Sequence, residues 1–218
     1  MFAPTEIELR EMAAKEYGMI SMIDDGIGKI LGELDALDLR ENTIVVFTSD
    51  HGDMFGDHGV MLKGAMHYEG CTRVPLLIDV PAMPAGVSNS LISSLDLGPT
   101  LLAQAGLEAF HGMQGHDASE LLKNPASTIR DEILIEEDQL NDILHVGTPL
   151  RMRTLITEET RLTVYQGYEG AELFDLKNDP EEMNNLTESS ALRADMNERL
   201  INALMANDDV SPKPTAFA

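Results

Sequence analysis

Tryptophan is absent from this 218-residue chain and cysteine occurs once, at position 71. A lone thiol excludes an internal disulfide framework and leaves the redox compartment open. Positive charge is scarce as well: 15 Lys and Arg stand against 38 Asp and Glu, a formal net charge of −23. Nucleic acid and anionic lipid both reward basic patches, so neither is expected as a partner. No run approaches the ~20 apolar residues that span a bilayer. The opening MFAPTEIELREM has no basic end followed by an apolar stretch, so it is not expected to be a signal peptide. Repeats and low-complexity tracts are missing too. What is present, 43% hydrophobic and 24% charged residues, is the balance of a globular chain long enough to bury a core.

The pattern of elements falls into two textures. Over residues 5–38, Ile20, Ile23, Ile27, Ile30, Leu31 and Leu34 recur at helical spacing, with Thr5 and Glu8 set as a capping box. Gly18, Gly26, Gly28 and Gly32 are costly inside such a helix and point to close packing or a kink. TIVVFTSD (43–50) and VPLLIDVP (74–81) are apolar without alternation, which predicts strands covered on both faces in a mostly parallel sheet. NSLISSLDLGPTLLAQAGL (89–107) predicts a short strand, then a helix entered near Asp96. Beyond about residue 125, DEILIEED, RMRTLITEE, TRLTVYQG and AELFDL read as an antiparallel sheet. Asp179, Pro180 and Glu182 are spaced as a helix start, and Leu192, Met196, Leu200 and Leu204 stripe a terminal helix, after which DDVSPKPTAFA is expected to fray. The expected fold is α/β: a partial, mostly parallel sheet flanked by helices over 1–125, then a small antiparallel subdomain with a C-terminal helix over 126–218.

The chemistry concentrates in TSDHGDMFGDHG (48–59). Ligands of open α/β sheets sit outside the carboxyl ends of strands, where Asp50 and His51 fall. A carboxylate and an imidazole suit Ca²⁺, Mn²⁺, Mg²⁺ or Zn²⁺, and Gly52 allows the turn that lets both face one ion. An EF-hand is excluded, because Gly52 stands where an oxygen ligand belongs and the terminal Glu is missing. Taken alone, Asp-His-Gly after a strand reads first as a turn.

The longer stretch NTIVVFTSDHGDMFGDHGVMLKGAMHYEGCTRVPLLI (42–78) closely resembles the sulfatase family, within the alkaline phosphatase superfamily. YGMISMIDDGIGKIL, SLDLGPTLL and ELFDLKNDPEEMNNL are similar to further blocks of that family in the same order, so the resemblance covers nearly the whole chain. It implies an alkaline phosphatase-like fold and a sulfuric ester hydrolase. Asp50 and His51 would be metal ligands for a divalent ion, Ca²⁺ ahead of Mn²⁺, and Lys63 would contact the oxygens of a small anionic ester such as a sulfate ester. A fixed ammonium beside a divalent cation does stabilise the charge that ester cleavage builds on oxygen. His67 and Tyr68 are candidates for the substrate pocket, and equally a packed pair. Asp53, Asp57 and His58 are loop residues with a possible orienting role, and Arg73 is expected to pair with a carboxylate.

The family's nucleophile, a formylglycine made within Cys/Ser-x-Pro-x-Arg, has no match here. CTRVP (71–75) has the residues in the wrong order, and GTPLR (147–151) has Gly147 where the nucleophile belongs. The resemblance therefore places this sequence in the C-terminal half of a sulfatase, with the formylglycine and the first metal ligands in an upstream half. That implies a fragment inactive by itself, of unknown compartment. Two other readings stand beside it: a phosphodiester or phosphonate monoester hydrolase of the same superfamily, and a non-catalytic remnant that only binds or assembles.

Overall fold

In a computed structural model, residues 4–142, 145 and 147–208 are described. The expected fraying tail lies almost wholly outside them. The chain forms two compact units, Met1–Pro84 and Ala85–Ala218, so residues 85–125 fold with the antiparallel sheet that follows.

The first unit opens with helix α1, Glu6–Ala36. Its capping box forms as expected: the Glu8 N–H donates to Thr5 Oγ1 and the Thr5 N–H to Glu8 Oε2 at 2.8 Å. The amphipathic pattern is real, but its burial is partial. Ile27, Leu31 and Leu34 are half-buried while Ile20, Ile23 and Ile30 are exposed. A Cβ on any of the four glycines of α1 would meet nothing within 4 Å, so the close packing they predicted is not made among the described residues. A 3₁₀ turn, Arg40–Asn42, leads into strand β1, Val45–Thr48.

Strand β2, Leu76–Asp79, pairs with β1 antiparallel, Val45 opposite Asp79 and Thr48 opposite Leu76. This corrects the parallel expectation. An apolar run reports how a strand is covered and carries no information on pairing direction, and the connection between β1 and β2 contains a 3₁₀ turn, Asp57–Gly59, and helix α2, Glu69–Thr72, both too short to serve as a crossover helix. Nor is the strand pair enclosed on both faces: the cross-strand neighbours Phe47 and Leu77 are both exposed.

In the second unit no strand forms over 89–93. Ser93 instead caps a 3₁₀ turn, Ser94–Asp96, that runs into helix α3, Leu97–Gln104. Asp96 is the hub of this region. Its buried carboxylate accepts the N–H groups of Ser93 and His116, each at 2.7 Å, and pairs with Arg130 at 2.6 Å. Gly115 allows the loop to close on it, since a Cβ there would lie 2.0 Å from the Leu95 carbonyl oxygen. Helix α4 spans Ser119–Lys123.

The four expected strands form an antiparallel meander: β3 Glu132–Asp138, β4 Arg151–Thr157, β5 Thr160–Gln166 and β6 Ala171–Asp175, neighbours in sequence pairing throughout. Helix α5, Ser190–Ala206, lays Met196, Leu200 and Ala203 on Leu155, Leu162 and Leu173 of the sheet. Leu192 and Leu204 extend that stripe as the spacing predicts. Each fully buried leucine contributes about 1.5–3 kcal/mol over its exposed state.

The helix predicted from Asp179 does not form. Asp179 does cap, accepting the N–H groups of Met183 and Asn184, but what it caps is a turn. The reason is Glu182, which takes a left-handed φ of 55° and drives its carboxylate inward onto Arg161. A residue so placed cannot continue a right-handed helix.

Candidate active site

Strand β1 ends at Thr48, and the chemistry begins at once. The Ser49 hydroxyl donates to the His51 carbonyl at 2.9 Å, and the His51 N–H donates to Asp50 Oδ1 at 3.0 Å. That backbone donor is the main cause holding the Asp50 carboxyl below its ordinary value of 3.8. His51 Nδ1 lies 2.8 Å from the Gly52 carbonyl oxygen. A carbonyl only accepts, so Nδ1 carries the proton and Nε2 presents a lone pair. The Lys63 ammonium donates to that lone pair, and Asp50 Oδ2 lies 3.3 Å from the same nitrogen, close enough to attract the ammonium rather than to bond the imidazole. The structure thus brings Asp50, His51 and Lys63 into one cluster. The cluster is open, the Asp50 side chain being 83% exposed.

Glycine makes the placement possible. The Gly52 N–H donates to the Cys71 carbonyl at 2.8 Å, and a Cβ on Gly52 would lie 2.0 Å from the Gly70 oxygen. The strand end is therefore pressed against the backbone of α2. On its other side the loop doubles back, with the Met54 N–H on the Leu62 carbonyl and the Gly56 N–H on the Val60 carbonyl. Met54 is wholly buried beneath it.

The remaining candidates fall around this frame. His67 is enclosed, 4% exposed, and Tyr68 stacks on His58 with ring centroids 3.9 Å apart. Arg73 pairs with Glu69 at 2.6 Å, the carboxylate partner expected of it. Asp53 does more than the sequence indicated: its Oδ1 accepts the N–H groups of both Phe55 and Leu62. The first is the two-residue reach of an Asx turn, which a sequence can signal. The second spans nine residues and depends on the loop fold.

The cation test is one of donor type and number. The Asp50 carboxylate and the Nε2 lone pair of His51 are both suited to a divalent ion. Among the described residues no group of three or more His, Cys, Asp or Glu converges as a metal cluster, and two such donors by themselves are too few for a divalent ion. Neither decoy serves as a nucleophile: Cys71 is buried in α2, and Gly147 has no side chain.

A carboxylate, an imidazole and an ammonium thus gather where a strand runs into a glycine-held loop, and the solved structures on which the chain superposes place it in the class of α/β proteins with alkaline phosphatase-like architecture. Comparison narrows the class. The family profile described as Sulfatase matches residues 1–107, and that of N-sulphoglucosamine sulphohydrolase, C-terminal, matches residues 56–208. The uncharacterized sulfatase YidJ of Escherichia coli (strain K12) is 33% identical over 185 residues, 84% of this chain and 35% of that protein. The solved structure of BT4656 in complex with its substrate D-glucosamine-2-N,6-O-disulfate superposes with a TM-score of 0.77 at 28% identity, over 90% of this chain and 41% of that one. The phosphonate monoester hydrolase SpPMH from Silicibacter pomeroyi reaches a TM-score of 0.85 at 23% identity, over 95% of this chain and 44% of that one, which speaks for shared fold. The chain belongs to the sulfatase family. It spans about a third of the length of the curated relatives it matches.

Proposed function

We infer that this chain supplies the cation-holding and anion-facing part of a sulfuric ester hydrolase site. Residues 1–125 belong to the catalytic α/β domain and 126–218 form its C-terminal subdomain, a division by role within the family rather than by compactness. The observation that carries the reading is the meeting of Lys63 with His51 Nε2 beside the Asp50 carboxylate. A divalent cation, Ca²⁺ ahead of Mn²⁺, held by Asp50, His51 and ligands from elsewhere would polarise a substrate oxygen when bound. Lys63 donates to a non-bridging or leaving oxygen, where charge grows in the transition state. Its contact to the imidazole holds the ammonium beside the carboxylate only while no cation occupies the Nε2 lone pair; a bound cation takes that lone pair and leaves the ammonium for the substrate anion. His67 and Tyr68 support the pocket wall. The substrate class is a small sulfate ester, and the sulfated glucosamine bound by BT4656 makes sulfated sugars the first to try. The sequence contains no Cys/Ser-x-Pro-x-Arg, so no attack on sulfur is assigned to its own residues.

The test has two arms. In the first, the isolated chain is titrated with Mn²⁺ and followed by NMR. Resonances of Asp50 and His51 should broaden before those of other carboxylates, and broadening elsewhere first overturns the assignment. In the second, the chain is joined to the portion of the E. coli relative that it does not match, and aryl sulfate is compared with aryl phosphodiester and phosphonate monoester. Sulfate turnover that falls on Lys63→Ala supports the reading. Preference for the phosphorus esters moves it to the sister activity, and cleavage of none with Ca²⁺ or Mn²⁺ present sinks both. The 218-residue chain alone should give negligible turnover.

A further inference from the structure

Lys63 reaches His51 across a loop that is improbable by itself. Phe55, His58 and Leu62 all hold left-handed backbone, with φ of 46°, 53° and 68°. Each such non-glycine residue costs on the order of 1 kcal/mol or more and persists only where something fixes it. For Leu62 the fixing group is visible. Its N–H donates at 3.1 Å to Asp53 Oδ1, the same oxygen that takes the Phe55 N–H at 2.9 Å. The side chain of Leu62 is exposed, so packing does not hold it. Lys63 is the next residue, and it returns to His51, two positions before Asp53. The path from His51 through Asp53 and Leu62 to Lys63 and back is a circuit closed by two hydrogen bonds, Leu62 to Asp53 and Lys63 to His51, the other links being the chain itself.

We propose that Asp53 is a positioning residue: by clamping the left-handed Leu62 it aims the Lys63 ammonium at the His51 imidazole. A carboxylate accepting two backbone amides is a strong acceptor, stronger than the neutral oxygens available in a loop. Asp53 is not required as a cation ligand on this account, although it sits three residues from Asp50. The alternative, that it belongs to the metal shell, makes an opposite forecast for the amide variant. Asn keeps an acceptor oxygen for both N–H groups and gives up the charge that a divalent ion wants. The purpose of the clamp rests on the proposed role of Lys63, but its existence is tested apart from any activity.

The experiment is NMR on the full chain, comparing wild type with Asp53→Ala, Asp53→Asn and the double variant Asp53→Ala/Leu62→Gly. Two signals are read: exchange protection of the Phe55 and Leu62 amides, and the cross-relaxation between the Lys63 ε-methylene and the His51 ring. In D53A protection of both amides should fall at least about tenfold, the equivalent of one lost charge-assisted hydrogen bond, and the Lys63–His51 signal should vanish. In D53N both should persist. Adding L62G to D53A should restore part of the Lys63–His51 signal, because glycine adopts φ near 68° without the clamp. Persistence of the contact in D53A overturns the proposal, and so does its loss in D53N. Should D53A fail to fold, D53N alone decides. Loss of Mn²⁺ broadening at Asp50 in D53N, with the Lys63 contact intact, assigns Asp53 to the metal shell and likewise overturns it.

Discussion

Removing the carboxylate of Glu182 should cost the second unit about a third of a typical domain's stability, and the structure says why. Arg161 stands on β5 with 1% of its side chain exposed, and Glu182, 3% exposed, meets its Nε directly. The guanidinium also donates to Thr163 Oγ1 at 2.7 Å, pairs with Glu172 at 3.1 Å and lies 4.8 Å over the Phe174 ring. Breaking a buried pair by deleting one partner costs about 3–5 kcal/mol, because the other charge stays in a poor solvent. Glu172 still compensates Arg161 in part, so the lower end, about 3 kcal/mol, is expected for Glu182→Ala. For a unit of this size each kcal/mol moves the midpoint by about 3–5 °C, giving a fall of roughly 9–15 °C in a far-ultraviolet melt. Glu182→Gly separates charge from strain: it loses the same carboxylate but relaxes the left-handed φ of 55°, so it should sit about 1 kcal/mol above the alanine variant. Arg161→Met combined with Glu182→Leu should recover much of the loss, since no charge is then buried. An alanine variant melting within about 3 °C of wild type would show that this pair is not what fixes the turn after β6.

Three other expectations bear on the remaining elements. Gly52→Ala puts a Cβ 2.0 Å from the Gly70 oxygen, so the strand end must leave α2; the expected cost is about 1–3 kcal/mol or more, read as a lower melting point together with weaker Mn²⁺ broadening at His51, and an unchanged Mn²⁺ response would refute the packing. Asp138, bonded to Arg153 at 2.8 Å, has its carboxyl held below 3.8 chiefly by that hydrogen bond. A depressed folded value means that the contribution is complete above 3.8 and fades as pH falls through the folded value, so the gap in urea midpoint between wild type and Asp138→Asn should shrink from about pH 6 to about pH 3, and a constant gap would refute it. Met19, Met22, Ile23 and Ile30 leave an apolar stripe bare along α1, so Ile23→Lys with Ile30→Lys should lower binding of a hydrophobic dye while changing stability by no more than about 0.5 kcal/mol per site; a large loss of stability would mean the stripe is packed.

What could be read from the sequence was what is encoded locally. The capping box of α1, the meander β3–β6 and the stripe of α5 depend on residues within one or two turns or on alternation within one strand, and all formed. The antiparallel pairing of β1 with β2 was not legible, because Val45, Val46 and Phe47 look the same whichever way a neighbour runs. Asp179 carried a true capping signal, yet Glu182 answered to Arg161, 21 positions earlier, and turned the helix start into a loop. The same division runs through the site. That Asp50 and His51 follow a strand was legible directly, but their candidacy as a pair, like that of Lys63, came through the family resemblance. The Asp53 bridge to Leu62 was not, since a nine-residue contact exists only once the loop has folded.

That division has a consequence for how the cluster behaves. Its members are held by backbone: a glycine amide on the Cys71 carbonyl, a glycine pressed on a glycine, and one carboxylate oxygen on two amides. Apart from Met54 and Met61, the loop buries little apolar surface of its own. The core of Leu155, Leu162, Leu173 and Met196 belongs to the other compact unit. Lys63 and Asp50 are therefore free of the packing that fixes a core side chain, and their geometry is set by a few directional bonds that open at low free-energy cost. Such a site should lose amide protection at Gly52 and Leu62 long before the sheet of the second unit opens. If those amides exchange only with the core amides of β5, the loop is part of one cooperative fold, and the view of it as a separately clamped device is wrong.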